Sequence, residues 1–171
     1  MSSQTSEHVG DYHFIPDNAS PGLLFLKEFL PAVDSLDESP PIAKFLSPDV
    51  RFIGGGGIVG RDVLESMFRG RSSRLSSFGH RVKKAWDIAS PSVEIDGSVR
   101  NCRTVLYESI SITIFKHDPE QVPVEVPEFS VIELEPSPSD PGKFVAVEVR
   151  FWMDPKPVMD RRDQLRSNAT N

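Results

Sequence analysis

The sequence is short of cysteine, of positive charge and of long apolar runs. A single cysteine, Cys102, among 171 residues excludes an internal disulfide framework and is typical of a reducing cytosol. Lysine and arginine number 19 against 25 acidic residues, so the chain lacks the basic surface of a nucleic-acid-binding protein. No apolar run reaches the roughly 18 residues of a membrane span. We therefore expect a soluble cytoplasmic protein with no nucleic-acid or membrane partner.

Metal and phosphate sites are also missing from the sequence pattern. No group of residues has the spacing of metal ligands. The glycine run Gly54–Gly57 is not followed by the lysine and hydroxyl residue of a phosphate-binding loop, so it predicts a flexible rim. We expect neither a metal nor another cofactor.

The first half of the chain predicts a flexible N-terminal arm followed by three helices. Residues 1–19 are polar and aperiodic, which indicates a flexible arm. Ser20-Pro21 is typical of a helix start, and an apolar stripe follows it at three- and four-residue steps. The stripe comprises Leu23, Leu26, Leu30 and Val33. A short second helix is predicted at Ile42–Leu46 and a third at residues 60–70.

The second half predicts four long strands and hence an α+β fold. The strands are expected at about Phe78–Ala89, Arg103–Lys116, Val124–Glu135 and Lys143–Asp154. Hairpin-type connections make the sheet mostly antiparallel and strongly curved. Three helices before such a sheet close one of its sides and leave a cone-shaped interior pocket. Residues 20–158 form this domain, and residues 159–171 form a C-terminal turn and tail.

One histidine interrupts the apolar face of the first long strand. If the strand alternates regularly, His80 shares a face with Phe78, Val82 and Trp86. An imidazole exchanges protons near neutral pH without special tuning. A half-buried structural histidine is the alternative interpretation, and the two carry similar weight.

The strand at residues 103–116 has two different faces. One is polar and carries Tyr107, Ser109, Ser111 and Thr113. The other is apolar apart from Glu108. If the polar face turns inward, Tyr107 can donate a hydrogen bond to a carbonyl or a developing enolate. If the apolar face does, Glu108 is the buried acid, and the sequence leaves both possibilities open.

Several carboxylates are candidates for acid–base chemistry. Asp34 lies four residues beyond Leu30, where it can reach inward and orient His80 or stay exposed in the last helical turn. Three glutamates interrupt the strands, and a carboxylate in an apolar pocket acquires a raised pKa and acts as a general acid. They are Glu128, Glu133 and Glu148. Glu148 is equally well explained as an ion-pair partner of Arg150 on an outer face.

Six cations without an acid among them run from the end of the third predicted helix into the first long strand. They are Arg69, Arg71, Arg74, Arg81, Lys83 and Lys84. We expect a solvated face that balances the acids downstream. Attraction of an anionic substrate is the alternative.

Five segments, in this order, resemble the NTF2-like superfamily, also called the SnoaL-like or ketosteroid-isomerase-like cone. They are Val33-Asp34-Ser35, the helix-to-strand step at 45–52, the glycine-led helix at 60–64, the strand from His80 to Trp86, and the closing segment from Gly142 to Pro155. The resemblance covers about Leu23–Val158. Within the superfamily the chain is most similar to fungal scytalone dehydratases and SnoaL-like biosynthetic enzymes.

This resemblance implies proton handling by Asp34 and His80 and a pocket polar group near Glu128. The sequence departs from the dehydratase pattern at two places. Gly54 stands where the dehydratases have a pocket tyrosine, and the strand with Tyr107 lacks a second histidine. We predict that Asp34, His80, Tyr107 and Glu128 are catalytic. The side chains expected to bind the substrate are Phe52, Met67, Phe78, Trp86 and Phe129.

The expected function is cofactor-free acid–base catalysis on a small hydrophobic metabolite. The reaction would be an isomerisation, cyclisation or dehydration in fungal-type secondary metabolism, with His80 removing or relaying a proton. The alternative is a non-catalytic ligand-binding or dimerisation module of the same fold. The resemblance implies a homodimer in either case.

Overall fold

A computed structural model of the chain describes residues 5–37, 41–90, 93–95 and 98–168. Its helices are α1 (Pro21–Asp34), α2 (Arg61–Arg69) and α3 (Lys156–Asn168), with single 3-10 turns at Tyr12–Phe14 and Pro41–Phe45. Its strands are β1 (Thr5–Val9), β2 (Leu46–Gly54), β3 (Gly57–Val59), β4 (Leu75–Ala89), β5 (Val93–Ile95), β6 (Ser98–Arg100), β7 (Arg103–Phe115), β8 (Val124–Pro136) and β9 (Phe144–Met153).

Seven of these strands form one curved sheet in the order β1-β4-β7-β8-β9-β2-β3. All neighbours are antiparallel except β2 and β9, which are parallel. The strands β5 and β6 form a separate two-stranded antiparallel sheet. The predicted α+β class and the mostly antiparallel curved sheet are confirmed.

Helix α1 closes the concave face of the sheet. Its apolar stripe is buried as predicted, and Phe25 and Phe29 extend it. These side chains pack on β4 and β7 and on the 3-10 turn before β2. Burying an apolar side chain of this size contributes about 2 kcal/mol, so the stripe fixes the helix on the sheet. The last residue of α1 is Asp34, which this packing holds above β4.

The predicted flexible arm is instead built into the fold. Strand β1 pairs with the outer edge of β4, from Thr5 opposite Ile88 to Val9 opposite Lys84. The following 3-10 turn places Tyr12 in the core, and Ile15 is 1 % exposed. The arm prediction was wrong for these residues because β4 offers a free edge and the short run of aromatic and apolar residues can be buried. Residues 1–4 of the arm lie outside the described residues.

The predicted tail also differs. Helix α3 begins before the predicted domain end and runs to Asn168, and Arg161 on it donates to the buried carboxylate of Asp118 at 2.7 Å. Residues 169–171 lie outside the described residues. Within the described part of the chain, none of the helices has the length and apolar character needed to cross a membrane.

A bulge in β4 changes which side chains share a face. The register with β7 shifts between Val82 and Lys84, so residues before the bulge and residues after it alternate out of phase. Phe78, His80 and Val82 face inward, but Trp86 faces outward, where its indole donates to Glu7 of β1 at 2.9 Å. The prediction that Trp86 shares a face with His80 was therefore wrong.

Candidate functional site

Three elements bring together an aspartate, a histidine and a glutamate. Asp34 comes from the end of α1, His80 from the part of β4 before the bulge, and Glu128 from β8. Their side chains are 13 %, 4 % and 8 % exposed. Three ionisable side chains buried in contact must be mutually compensating, since an unpaired buried charge is costly.

Asp34 holds the imidazole from one side. Its Oδ1 lies 2.5 Å from Nδ1 of His80, and its Oδ2 accepts the backbone N–H of His80 at 3.0 Å. One carboxylate thus contacts both the ring and the backbone of one residue. This arrangement fixes the ring orientation and leaves Nε2 as the nitrogen that faces the rest of the site.

Glu128 lies on the other side of the imidazole. Its Oε2 is 3.6 Å from Nε2 of His80, a distance of ion pairing that is too long for a hydrogen bond. Its Oε1 accepts a hydrogen bond from Ser130 at 2.8 Å. Asp34 binds the ring tightly, whereas the Nε2 side is loosely engaged.

The two carboxylates make the imidazole basic. Burial alone would lower the pKa of His80, but the hydrogen bond to Asp34 and the negative charges of Asp34 and Glu128 outweigh burial and raise the pKa to about 9. Burial raises the pKa of Glu128, yet His80, Ser130 and Arg71 together bring it below its ordinary value. At neutral pH the site therefore contains an imidazolium beside an ionised Glu128.

The polar face of β7 turns into the same site. Tyr107, Ser109, Ser111 and Thr113 are all buried, whereas Glu108 is exposed. This settles the alternative that the sequence left open in favour of the polar face. Burial and the charge of Glu128 raise the pKa of the Tyr107 phenol, so it remains a hydrogen-bond donor at neutral pH.

Ser109 is a buried hydroxyl residue of β7 next to Glu128 in the sheet. It is opposite Val82 on one side and opposite Glu128 on the other. Its Oγ is buried and has no hydrogen-bond partner among the residues that the structure describes. Such a group costs free energy unless something satisfies it, so the site has an unused hydroxyl next to Glu128.

Tyr12 is a site residue that the sequence did not reveal. Its hydroxyl donates to Oδ2 of Asp34 at 3.3 Å. Burial, together with the charge of Asp34, raises the pKa of this phenol. The signal that could have found it is the aromatic and apolar run Tyr12–Ile15 inside an otherwise polar segment.

Arg71 is the second residue that was missed, because it was assigned to a solvated face. Its guanidinium lies over the rings of Phe68 and Phe78, 3.8 and 4.2 Å from their centroids. Its Nη1 donates to the carbonyl of Val33 at 2.6 Å. Burial lowers the pKa of Arg71 to about 10, so it remains a cation at neutral pH.

Solved structures share this architecture at low sequence identity. No protein-family model and no curated protein matches the chain. The BvnE pinacolase from Penicillium brevicompactum is 10 % identical with a TM-score of 0.55, covering 86 % of this chain and 95 % of its own. Nuclear transport factor 2 from Cryptosporidium parvum is 12 % identical with a TM-score of 0.54, covering 78 % and 92 %. The chain adopts the NTF2-like fold.

A ketosteroid isomerase-like protein from Erwinia carotovora atroseptica is similar to the same extent. It is 15 % identical with a TM-score of 0.52 over 78 % of this chain and 90 % of its own. Likenesses at such identities show the fold alone. The NTF2-like fold predicted from the order of segments is confirmed.

The NTF2-like cone of this protein separates the predicted substrate-binding residues. Phe78 contacts the His80 ring edge-on, with centroids 5.2 Å apart, and Phe52 packs against the core. Met67 is 55 % exposed on α2. Phe129 lies on the outer face of β8, 6.0 Å from Trp152, because Glu128 takes the inner face at the preceding position. The predictions for Met67 and Phe129, like that for Trp86, were therefore wrong about position.

Gly54, the departure from the dehydratases, has a structural reason. A Cβ atom at this position would lie 2.3 Å from the ring of Phe151. The ring of Phe151 thus occupies the space that a tyrosine at position 54 would need. The tyrosine hydroxyl that the structure shows donating in the site is that of Tyr12, which bonds to Asp34.

The other glutamates form an ion network outside the cone. Glu148 pairs with Arg51 and with Arg150, whose Nε lies 2.7 Å from it. Glu133 accepts from Arg150 at 3.1 Å and from Thr104 at 2.8 Å. These contacts support the ion-pair interpretation of Glu148.

The surroundings of His80 are more polar than the apolar strand face that the sequence predicted. A carboxylate lies beside each ring nitrogen, and Ser111 of β7 lies opposite His80 in the sheet. Two surface depressions, of about 450 and 630 Å³, lie elsewhere, one beside the β2–β3 hairpin and one along α3. Among the described residues, none of the groups of acidic, histidine and cysteine side chains is arranged to hold a metal ion.

Proposed function

We propose that this protein is an acid–base enzyme that moves a proton on a small metabolite without a cofactor. The observation that carries the proposal is the placement of the His80 ring between two carboxylates, at 2.5 Å from Asp34 and 3.6 Å from Glu128. The reaction class is isomerisation, cyclisation or dehydration. The substrate is a small, largely hydrophobic metabolite of fungal-type secondary metabolism, a setting supported by the fold shared with the Penicillium pinacolase.

The protonation states assign the roles. The imidazolium of His80 is the general acid and donates its Nε2 proton to a substrate oxygen, while Asp34 holds the ring. Ionised Glu128 is the general base and accepts a proton from a neighbouring carbon. Tyr107 and Ser109 donate hydrogen bonds to the oxygen as its charge changes. The sequence analysis expected His80 to remove or relay a proton, whereas in this proposal His80 donates one.

This arrangement suits reactions at two adjacent atoms. In an isomerisation the proton that Glu128 removes returns to a different carbon after the enol has formed. In a dehydration the proton from His80 leaves with the hydroxyl as water, and Glu128 takes the proton from the adjacent carbon. Both reactions return the site to its starting charge once protons re-equilibrate with solvent.

Hydrogen–deuterium exchange tests the proposal without knowledge of the natural substrate. The probe is 2-tetralone, a small apolar ketone with an exchangeable C–H next to its carbonyl, incubated in D₂O and followed by NMR. Wild type should accelerate exchange, and His80→Gln and Glu128→Gln should reduce this acceleration by at least about a hundredfold. His117→Gln and Glu108→Gln change an exposed histidine and an exposed glutamate and should leave it unchanged. Equal exchange by the folded site variants and wild type would refute the proposal.

A non-catalytic ligand-binding or dimerisation module is the second candidate. The observation that favours it is the burial of the His80 side chain, 4 % exposed, with both nitrogens next to carboxylates. In this case the contacts among Asp34, His80 and Glu128 only fix α1 and β8 to β4. Native mass spectrometry of protein from its own host separates the candidates, since a retained metabolite or a bare homodimer without exchange activity supports the module.

A further inference from the structure

We infer that Arg71 is an anion-binding residue of this site and that its ligand carries a carboxylate. This inference deepens the proposed function and rests on it for the identity of the site. The structural relationship behind it is that Arg71 lies beside the Asp34–His80–Glu128 cluster, held by two aromatic rings, with most of its donors unused.

Ring contacts hold the guanidinium of Arg71 in place and leave most of its N–H donors free. Phe68 of α2 and Phe78 of β4 contact it through their rings, which is a cation–π arrangement. Phe78 in turn contacts the His80 ring. A chain of three packed groups therefore joins Arg71 to the general acid. An arginine fixed in this way loses little conformational freedom when it binds a ligand.

The free donors of Arg71 point to a ligand. Of its five N–H groups, the structure pairs one, on Nη1, with the carbonyl of Val33. Its remaining donors have no protein acceptor among the described residues, although the residue is half-buried. By comparison, the half-buried Arg61 donates to Glu65 and to the carbonyls of Leu46 and Ala43. The unused donors of Arg71 fit a planar carboxylate, which accepts two parallel hydrogen bonds from a guanidinium.

The charges of the site permit an anion only because of Arg71. Asp34, Glu128 and the His80 imidazolium together carry one net negative charge, which repels an anionic ligand. Arg71 neutralises this excess, and its field acts on both carboxylates. A carboxylate that binds Arg71 therefore approaches a neutral cluster, with its apolar part directed over Phe78 towards His80 and Glu128.

Binding of two matched probes tests this inference independently of turnover. Benzoate and its neutral isostere benzamide are titrated into the protein, and binding is followed by calorimetry and by the NMR signals of the His80 ring. We expect benzoate to bind wild type more tightly than benzamide does. Arg71→Met keeps an unbranched apolar side chain but removes the cation. It should lower the affinity for benzoate by about tenfold or more and leave the affinity for benzamide unchanged.

Two further variants make the test specific. Arg71→Lys keeps the charge but lacks the planar guanidinium that binds a carboxylate through two hydrogen bonds. It should therefore retain only part of the affinity for benzoate. Arg69→Met removes an exposed cation at the end of α2 and should leave benzoate binding unchanged. Thermal melts confirm that each variant is folded.

Three results would overturn the inference. They are no benzoate binding by wild type, equal binding of benzoate and benzamide, or unchanged benzoate binding in folded Arg71→Met. Failure of the proposed function would look different, because deuterium exchange would then be insensitive to His80→Gln while benzoate binding still depended on Arg71.

Discussion

Asp34 contacts the same residue twice, with Oδ1 at 2.5 Å from the ring nitrogen Nδ1 of His80 and Oδ2 at 3.0 Å from its backbone nitrogen. The first contact sets the charge of the imidazole, and the second sets the position of β4 under the end of α1. One carboxylate thus couples the protonation of the site to the packing of the fold. Changes of pH should therefore change stability as well as chemistry.

Stability should fall as the pH rises from 6.5 to about 9. The pKa of His80 is raised from 6.5 to about 9 in the folded protein, so the folded state binds a proton that the unfolded state releases in this range. The contribution is complete below pH 6.5 and is lost by pH 9, and it amounts to about 3 kcal/mol. Urea unfolding at several pH values measures this loss.

A matched pair of histidine variants assigns the effect. His80→Gln should flatten the stability profile between pH 6.5 and 9, whereas His117→Gln, at an exposed position, should preserve the wild-type decline. The lowered pKa of Glu128 gives the opposite pH dependence of stability. Its stabilising contribution is present at neutral pH and disappears as acid protonates the carboxylate. A wild-type profile that stays level up to pH 9 would contradict the His80 assignment.

Asp34→Asn should lower both the pKa of His80 and the stability of the fold. The amide preserves the size of the side chain but removes the charge that favours the imidazolium, while Glu128 remains. Removing one partner of a buried ion pair costs about 3 kcal/mol. NMR titration of the His80 ring and chemical denaturation measure the two effects. Asp37→Asn, a change at an exposed aspartate in the following segment, is the control and should alter neither.

Helix α1 and the positions of Asp34 and His80 were predictable from local patterns, whereas the helix predicted at Ile42–Leu46 is a 3-10 turn followed by the start of β2. The stripe on α1 repeats at helical spacing, and its burial places Asp34 over β4. The alternation before the bulge puts His80 on the inner face. These features depend on neighbours in the sequence, which a single chain displays directly.

The features that could not be predicted depend on long-range pairing. The bulge after Val82 has no strong local signal, yet it reverses the faces of the rest of β4 and moves Trp86 outward. Strand β1 forms because β4 has a free edge 75 or more residues away along the chain. The choice of the inner face on β7 follows from its register with Glu128. Propensity and periodicity do not encode such pairings.

Tyr12→Phe should show that the N-terminal segment belongs to the site. The substitution keeps the buried ring and removes only the hydroxyl that donates to Asp34 at 3.3 Å. We expect a loss of about 1 kcal/mol, the usual net value of one hydrogen bond, together with a shifted NMR titration of His80. Phe14→Leu alters a residue that is 77 % exposed nearby and should do neither. An unchanged His80 titration in Tyr12→Phe would mean that the hydroxyl of Tyr12 does not influence Asp34 and His80.

Gly22→Ala should destabilise the protein even though alanine is the better helix former. In an open helix the exchange would stabilise by up to about 1 kcal/mol. At Gly22 a Cβ atom would lie 2.4 Å from the carboxylate carbon of Asp87. That carboxylate cannot move away, because it accepts from the backbone N–H of Gly22 at 2.8 Å and from Arg103 at 2.7 Å.

Relief therefore requires α1 itself to shift from the sheet, which we expect to cost about 2 kcal/mol net. Gly55→Ala is the matched control, since a Cβ atom there has no neighbour within 4 Å, and it should leave stability nearly unchanged. Because the same helix carries Asp34 at its other end, the shift caused by Gly22→Ala should also weaken the bond to His80. The NMR titration of His80 should then move towards lower pH. A destabilised Gly22→Ala protein whose His80 titrates as in wild type would show that the two ends of α1 move independently.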